Sequence, residues 1–296
     1  MRFGGHETFP VREGWLYNGL ALLRDHPDRQ ADPFVADHLG VGRNMAKSIW
    51  HWLKVTRLVD VVREGQTSRL VVSDIGRCIL KNDPYLLETG TWWALHANIA
   101  TQTAHAVVWG WFFNEFAVDR FDRTLCLEQL VRKLQMVGAR MPSRNTLSRD
   151  VQCLLQSYAR PIPAEAEDPE DANESPFRDL GLMVHHRDTG TFSVQRGIKD
   201  IPPEIFGYIA SLADPATGEQ ARNRIAMKDV LSAPRMPGRV LSLSGDALAT
   251  LFQDAETTLG SSVLTVRAMG GERVVELYPF RPTAWLERLY RRVSSQ

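Results

Sequence analysis

Apolar positions along the first 80 residues change period twice. In EGWLYNGLALLRD they fall at 15, 16, 20, 22 and 23, which is one face of a helix. Asp32-Pro33 then sets a capping residue before a proline at a first helical position. This predicts a second helix from Asp32 to Leu39, ending near Gly40. Gly42 opens a third, RNMAKSIWHWLK, with Met45, Ile49, Trp52 and Leu53 spaced 4, 3 and 1. Its other face carries Arg43, Asn44, Lys47, Ser48 and His51. Two β-branched runs follow, LVDVV and SRLVVS, separated by REGQT, and they predict a hairpin. Helix, helix, turn, helix, hairpin is the order of a winged helix-turn-helix.

The pattern recurs without sequence identity. CLEQLVRKLQMVG reads as a helix, and Ser143 caps another, RNTLSRDVQCLLQSY. LMVHH and TFSVQ flank RDTG as a second hairpin. A third copy begins at AMKDVLSA and continues through LSGDALATLFQDAETTL, with Ser244 as cap. Its hairpin is SVLTVRA and RVVELY around Met269-Gly270-Gly271. Between the first two copies lies an aromatic helical stretch from Thr91 to Phe116. It reads as a core helix pair joining modules or subunits, and its apolar mass predicts a homodimer. The expected fold is therefore mainly α with small β-hairpins, an α+β chain. Tandem winged helix-turn-helix modules surround a central aromatic helical region, with units at 1–85, 86–212 and 213–296.

Charge changes this picture only locally. The 296 residues carry 35 Lys and Arg against 35 Asp and Glu, which argues against a uniformly basic nucleic-acid coat. Residues 1–160 hold 20 basic and 16 acidic groups, a balance of +4, while 161–180 hold 1 and 7, a balance of −6. The acidic stretch 161–176, with four prolines and few apolar residues, predicts a long loop. A mildly basic body thus carries an acidic insert. The first ten residues lack the apolar core of a signal peptide, and no apolar run approaches the ~20 residues of a membrane span, so a cytoplasmic protein without membrane contact is expected. Cys78, Cys126 and Cys153 form no CxxC.

Arg43, Asn44, Lys47 and Ser48 sit at the start of a candidate recognition helix. Arg and Lys neutralise phosphates or read guanine, and Asn pairs with adenine, which suits double-stranded DNA. Arg144, Asn145, Ser148, Arg149 and Gln152 repeat that logic in the second module. The alternative for both is an ordinary solvated face. His6 and Glu7, in GGHETF, are a candidate metal pair or acid–base pair. Neighbours on an extended segment point to opposite faces, however, and hydrogen bonding that fixes the segment is the competing reading. His96 and His105 read as core histidines. Glu115 is either a helix-end residue or an acidic catalytic group. Neither GxxxxGK[ST] nor GxGxxG after a strand occurs, so no nucleotide or flavin cofactor is expected. HExxH, HxH, GxSxG and an Asp or Glu two residues before a Lys are also missing.

Phe3-Gly4-Gly5-His6-Glu7-Thr8-Phe9, with Arg12 and Gly14-Trp15-Leu16, resembles a bacterial family long known only as a domain of unknown function. Leu39-Gly40-Val41-Gly42-Arg43-Asn44-Met45 leading to Trp52 carries the same likeness, with Arg43 where the family has Lys. Asp83-Pro84-Tyr85-Leu86, Leu95-His96, Asn114-Glu115-Phe116 and Ser143 to Asp150 extend it, as do Tyr158 and Asp168 to Pro176. The likeness covers roughly residues 3–210. It implies a component of DNA phosphorothioation clusters that looks like SspB, which nicks DNA so that sulfur enters one strand. It implies partners as well: a cysteine desulfurase, an ATP-pyrophosphatase-like protein and an ATPase. On this reading His6, Glu7, Arg12 and Glu115 are the catalytic candidates. His6 and Glu7 would bind a divalent metal, Mg or Mn, and Arg12 would clamp a phosphate. The rival is a non-catalytic winged-helix adaptor that brings sulfur-transfer enzymes to DNA.

Overall fold

The computed structural model describes residues 1–102, 104–163, 175–213, 223–278 and 280–295. Thirteen α-helices and nine strands are assigned among them, a mixed α+β architecture. Residues 164–174, most of the acidic stretch, lie outside the described residues.

The first unit runs α1 (Trp15–Asp25), α2 (Val35–His38), α3 (Arg43–Val55), β1 (Val59–Glu64), β2 (Thr67–Val72) and α4 (Asp74–Asn82). β1 and β2 pair antiparallel from Val59 opposite Val72 to Glu64 opposite Thr67, as the β-branched runs predict. The second helix is only one turn, shorter than expected. Asp32 accepts from the Phe34 N–H at 2.8 Å and pairs with His38, so it caps a turn instead of a longer helix.

Two buried helices follow, α5 (Thr89–Thr101) and α6 (Val107–Glu115), and their apolar residues surround the whole circumference. Trp93, Trp109, Trp111, Phe112, Phe113 and Phe116 are all buried within this one chain. The aromatic stretch is thus an interior core, which corrects the expectation of a self-association surface. Buried polar groups on α5 tie the units together. Asn98 donates to the Thr56 carbonyl and accepts from Tyr208, at 2.8 Å each. The His96 ring bonds Tyr158 at 2.9 Å and the Val240 carbonyl at 2.7 Å. His96 is the core histidine expected; His105 is exposed.

The second unit comprises β3 (Arg120–Phe121), α7 (Arg123–Met136), α8 (Arg144–Tyr158), β4 (Ala159–Ile162), β5 (Met183–His186) and β6 (Thr191–Val194). Its sheet has the order β3-β6-β5-β4, with β4 parallel to β5 and the other pairs antiparallel. The predicted hairpin is therefore the centre of a four-stranded sheet. Pro161 and Ile162, placed by composition in the acidic loop, end β4. An edge strand tolerates proline because one side of its backbone has no ladder partner.

Helix α9 (Glu204–Ala213) leads to the third unit: β7 (Asn223–Ala226), α10 (Met227–Ser232), α11 (Pro237–Val240), α12 (Gly245–Leu259), β8 (Leu264–Met269) and β9 (Glu272–Leu277). Its strands lie in the order β7-β9-β8. The chain then returns through α13 (Pro282–Val293), which packs on α9 and α4 and so crosses both expected unit boundaries. Trp285 covers Gly207, Tyr290 bonds Thr91 at 2.7 Å, and Arg292 holds buried Glu204 through two nitrogens. No described helix is long and apolar enough to cross a membrane.

Candidate nucleic-acid interface

The residues before α1 form a strap between the amino-terminal halves of α3 and α8. The Gly4 N–H donates to both carboxylate oxygens of Asp150, at 3.0 and 3.1 Å. His6 Nε2 lies 2.9 Å from Asp150 Oδ1, and the Thr8 N–H donates to His6 Nδ1 at 3.0 Å. Because Nδ1 accepts, the ring proton sits on Nε2 and is donated to Asp150. His6 is 1% exposed and Asp150 2%. A buried carboxylate at this position is tolerable because donors replace its lost water.

Gly4 has φ +67°, a conformation that glycine adopts without penalty. Gly5 lies against the His51 ring, where a Cβ would meet Nδ1 at 2.5 Å. Glu7 and Thr8 both have positive φ, 49° and 73°, which is unfavourable for a β-branched residue such as Thr8. The bonds of His6 and of the Phe9 N–H to the His6 carbonyl at 2.8 Å hold that strained turn closed. Phe9 in turn accepts from Trp52 Nε1 at 3.0 Å.

His6 and Glu7 are therefore not brought together as a pair. The imidazole turns inward to Asp150, between Trp109 and His51. The Glu7 carboxylate turns outward and lies 4.0 Å from Lys47 Nζ. Both His6 nitrogens are engaged, and among the described residues no three His, Cys, Asp or Glu side chains come together as a metal cluster. The residues at the His6–Glu7 position do not fit a divalent cation.

Arg43, Asn44 and Lys47 are exposed at the start of α3, and Arg144, Asn145 and Arg149 at the start of α8. Ser143 caps α8 by accepting from the Thr146 N–H. The strap touches both helices: Glu7 faces Lys47, and a Cβ on Gly4 would lie 3.7 Å from Thr146 Cγ2. Ser48 is a correction. It is fully buried and donates to the Phe9 carbonyl at 3.5 Å, on the α3 face that holds the strap. Ser148 is half-buried and accepts from Arg123 at 2.7 Å. Glu115 pairs with Lys133 on α7. The Arg12 guanidinium lies over the Phe9 and Trp15 rings, 5.6 and 5.4 Å from their centroids, and lines a separate cleft.

Sequence reasoning missed Asp150. Its signal was spacing: Leu147, Asp150, Val151 and Leu154 share one helix face, and a carboxylate on an apolar face needs a buried partner.

Residues 3–290 match the model of the family DUF4007, described as a protein of unknown function. The chain belongs to that family. Two solved structures resemble this DUF4007 chain over 99% of its length and 89% of theirs, each at 23% identity. One is a crystal structure of magnesium-ion-bound SspB, with a TM-score of 0.85, and the other a crystal structure of SspB, at 0.84. The likeness is one of fold. No curated protein matches the chain.

Proposed function

We propose that this DUF4007 chain is the DNA-binding component of a phosphorothioation system and hydrolyses a phosphodiester in one strand. The observation that supports this reading is the strap. It joins two exposed polar helix starts, each with two arginines or an arginine and a lysine plus an asparagine, around one anchored turn. Each helix precedes β-strands in its unit, so α3 and α8 are read as recognition helices of winged modules. Arg43, Lys47, Arg144 and Arg149 meet phosphates, and Asn44 and Asn145 meet base edges or phosphates.

Hydrolysis needs an activated water, charge stabilisation at the phosphate and a proton for the leaving oxygen. Glu7 is the carboxylate at the outer edge of the strap, with Lys47 beside it as a fixed positive charge. His6 positions Glu7 through its bond to Asp150. Glu115 is paired with Lys133 and is given no part in this reading. No step is assigned to a metal. The partners of this reading are a cysteine desulfurase, an ATP-pyrophosphatase-like protein and an ATPase.

The adaptor reading draws on a specific observation: both His6 nitrogens are occupied, and no metal cluster occurs among the described residues. Incubation with supercoiled plasmid separates the two, with Mg²⁺, Mn²⁺ or a chelator. Conversion to open circles that Glu7→Gln abolishes, with plasmid affinity retained, supports the nickase. Binding without conversion under every condition supports the adaptor. Absence of plasmid binding removes both.

A further inference from the structure

A cleft of about 310 Å³ opens between the start of α1, residues 83–89 and residues 175–180. That is the small end of the range for ligand pockets, enough for one nucleotide unit. We propose that it binds a single nucleoside monophosphate, with phosphate at Arg12 and Ser175 and base against Tyr17, Tyr85 and Trp92. The proposal stands on the cleft itself and does not need the interface described above.

The phosphate end is built from donors without acceptors. Arg12 Nε is buried and has no hydrogen-bond partner. Its guanidinium forms no ion pair among the described residues, and aromatic faces alone hold it in place. Ser175 is 2% exposed, lines the cleft, and its hydroxyl is likewise without a partner. An unsatisfied buried hydroxyl and an unpaired guanidinium lining one cleft are costly unless an acceptor arrives. Gly14 and Leu16, at the start of α1, also line the cleft, and no side chain caps that helix. The Trp15 N–H is taken by the Arg12 carbonyl, and the positive dipole end of the helix adds to the preference for an anion. Guanidinium, hydroxyl and helix start together match the oxygens of one phosphate group.

The other end suits a planar ring. Tyr17 and Tyr85 lie with centroids 5.0 Å apart at 45°, and Tyr85 is 63% exposed. Trp92 is fixed by its Nε1 bond to the Leu86 carbonyl at 2.9 Å. Glu13 and Asp179 also border the cleft. Asp179 is paired with Arg160 at 3.2 Å, while Glu13 offers an acceptor to amino or hydroxyl groups and repels further phosphates, so a monophosphate is favoured over a triphosphate. The wall is set in advance: buried Asp83 accepts from the Leu87 and Glu88 N–H groups and from the Thr91 hydroxyl. A preformed wall saves ordering entropy on binding. None of this uses a P-loop or a GxGxxG turn, so the missing motifs do not bear on it.

The ligand has two possible sources, a free nucleotide or one extruded from a DNA strand. The test titrates the full chain with dAMP, dCMP, dGMP, dTMP and inorganic phosphate, following heat and tryptophan fluorescence. At least one monophosphate should bind tenfold or more tightly than inorganic phosphate. Arg12→Gln should weaken it at least tenfold and Ser175→Ala at least threefold, with melting temperatures checked for both. Arg43→Ala with Lys47→Ala should leave it unchanged, which separates this site from the proposed DNA grip. Competition by a duplex carrying one mismatched nucleotide, but not by a fully paired duplex, identifies the strand as the source. Competition by neither identifies the free nucleotide. Absence of monophosphate binding at millimolar concentration overturns the proposal. So does binding that folded Arg12→Gln and Ser175→Ala variants retain in full.

Discussion

Asp150 holds the strap by accepting from Gly4 and His6 together, so its loss strands buried donors on both. Asp150→Ala should destabilise the protein by about 3 kcal/mol, read from urea unfolding monitored by circular dichroism. A loss below about 1 kcal/mol would mean that the strap is not anchored there. Gly5→Ala tests the same strap from its other side, since the new methyl would enter the His51 ring. The expected cost is about 1–3 kcal/mol by thermal or urea melting, with lower plasmid affinity if the turn shifts. These two residues also show what a sequence hides. GGHETF was legible as an unusual motif, but inward His6 and outward Glu7 follow from a positive-φ turn that no residue type in it announces.

At the scale of elements, α3 and α8 are expected to share the work of holding DNA. Removing Arg43 and Lys47, or Arg144 and Arg149, should lower the magnitude of the salt slope by roughly 0.9 for each phosphate that is no longer neutralised. Fluorescence anisotropy at several salt concentrations measures this, and an unchanged slope in a folded double variant excludes that helix from the interface. For α6, Phe113→Ala should cost about 3–5 kcal/mol, because Phe113 packs between His96 and Tyr158. Its oligomeric state in light scattering should match that of the parent, since the ring is internal. The amphipathic helices and antiparallel hairpins were legible because their period and capping residues are local. Ser143 and Ser244 both cap as expected. The parallel pairing of β4 with β5 was not legible, because it joins segments separated by the acidic stretch. The helices α9 and α13 escape the winged-helix pattern, although Pro282, Trp285, Leu286, Leu289 and Tyr290 have helical spacing.

At the scale of the molecule, burial couples stability to pH. Desolvation above all, with the nearby positive charges of Arg2 and Lys54, holds the His51 imidazole down at about 3. Burial holds His96 at about 4, lowered a little further by Lys199 and opposed by its bond to the Val240 carbonyl. In the unfolded chain both return to about 6.5. Between those values the unfolded state binds more protons, so stability is full above about pH 6.5 and falls as pH drops toward 4. Two groups at ~1.4 kcal/mol per pH unit give a slope near 3 kcal/mol per unit. Urea unfolding at pH 7, 6 and 5 measures it, and His96→Gln should remove about half. Equal slopes in parent and variant would assign the pH dependence elsewhere.

The return of α13 to α4 and α9 has a consequence for how the protein is made. Its Trp285 and Leu289 seat on Gly207 and Gly90, and Tyr290 completes a buried bond to Thr91. During synthesis at ~5–20 residues per second, α4 emerges about two hundred residues ahead of α13, a delay of roughly 10–40 s. For that interval α4 lacks its packing partner, and the seats on α5 and α9 likewise face solvent until α13 arrives. Packing of α4 and α9 is complete only once α13 has been made.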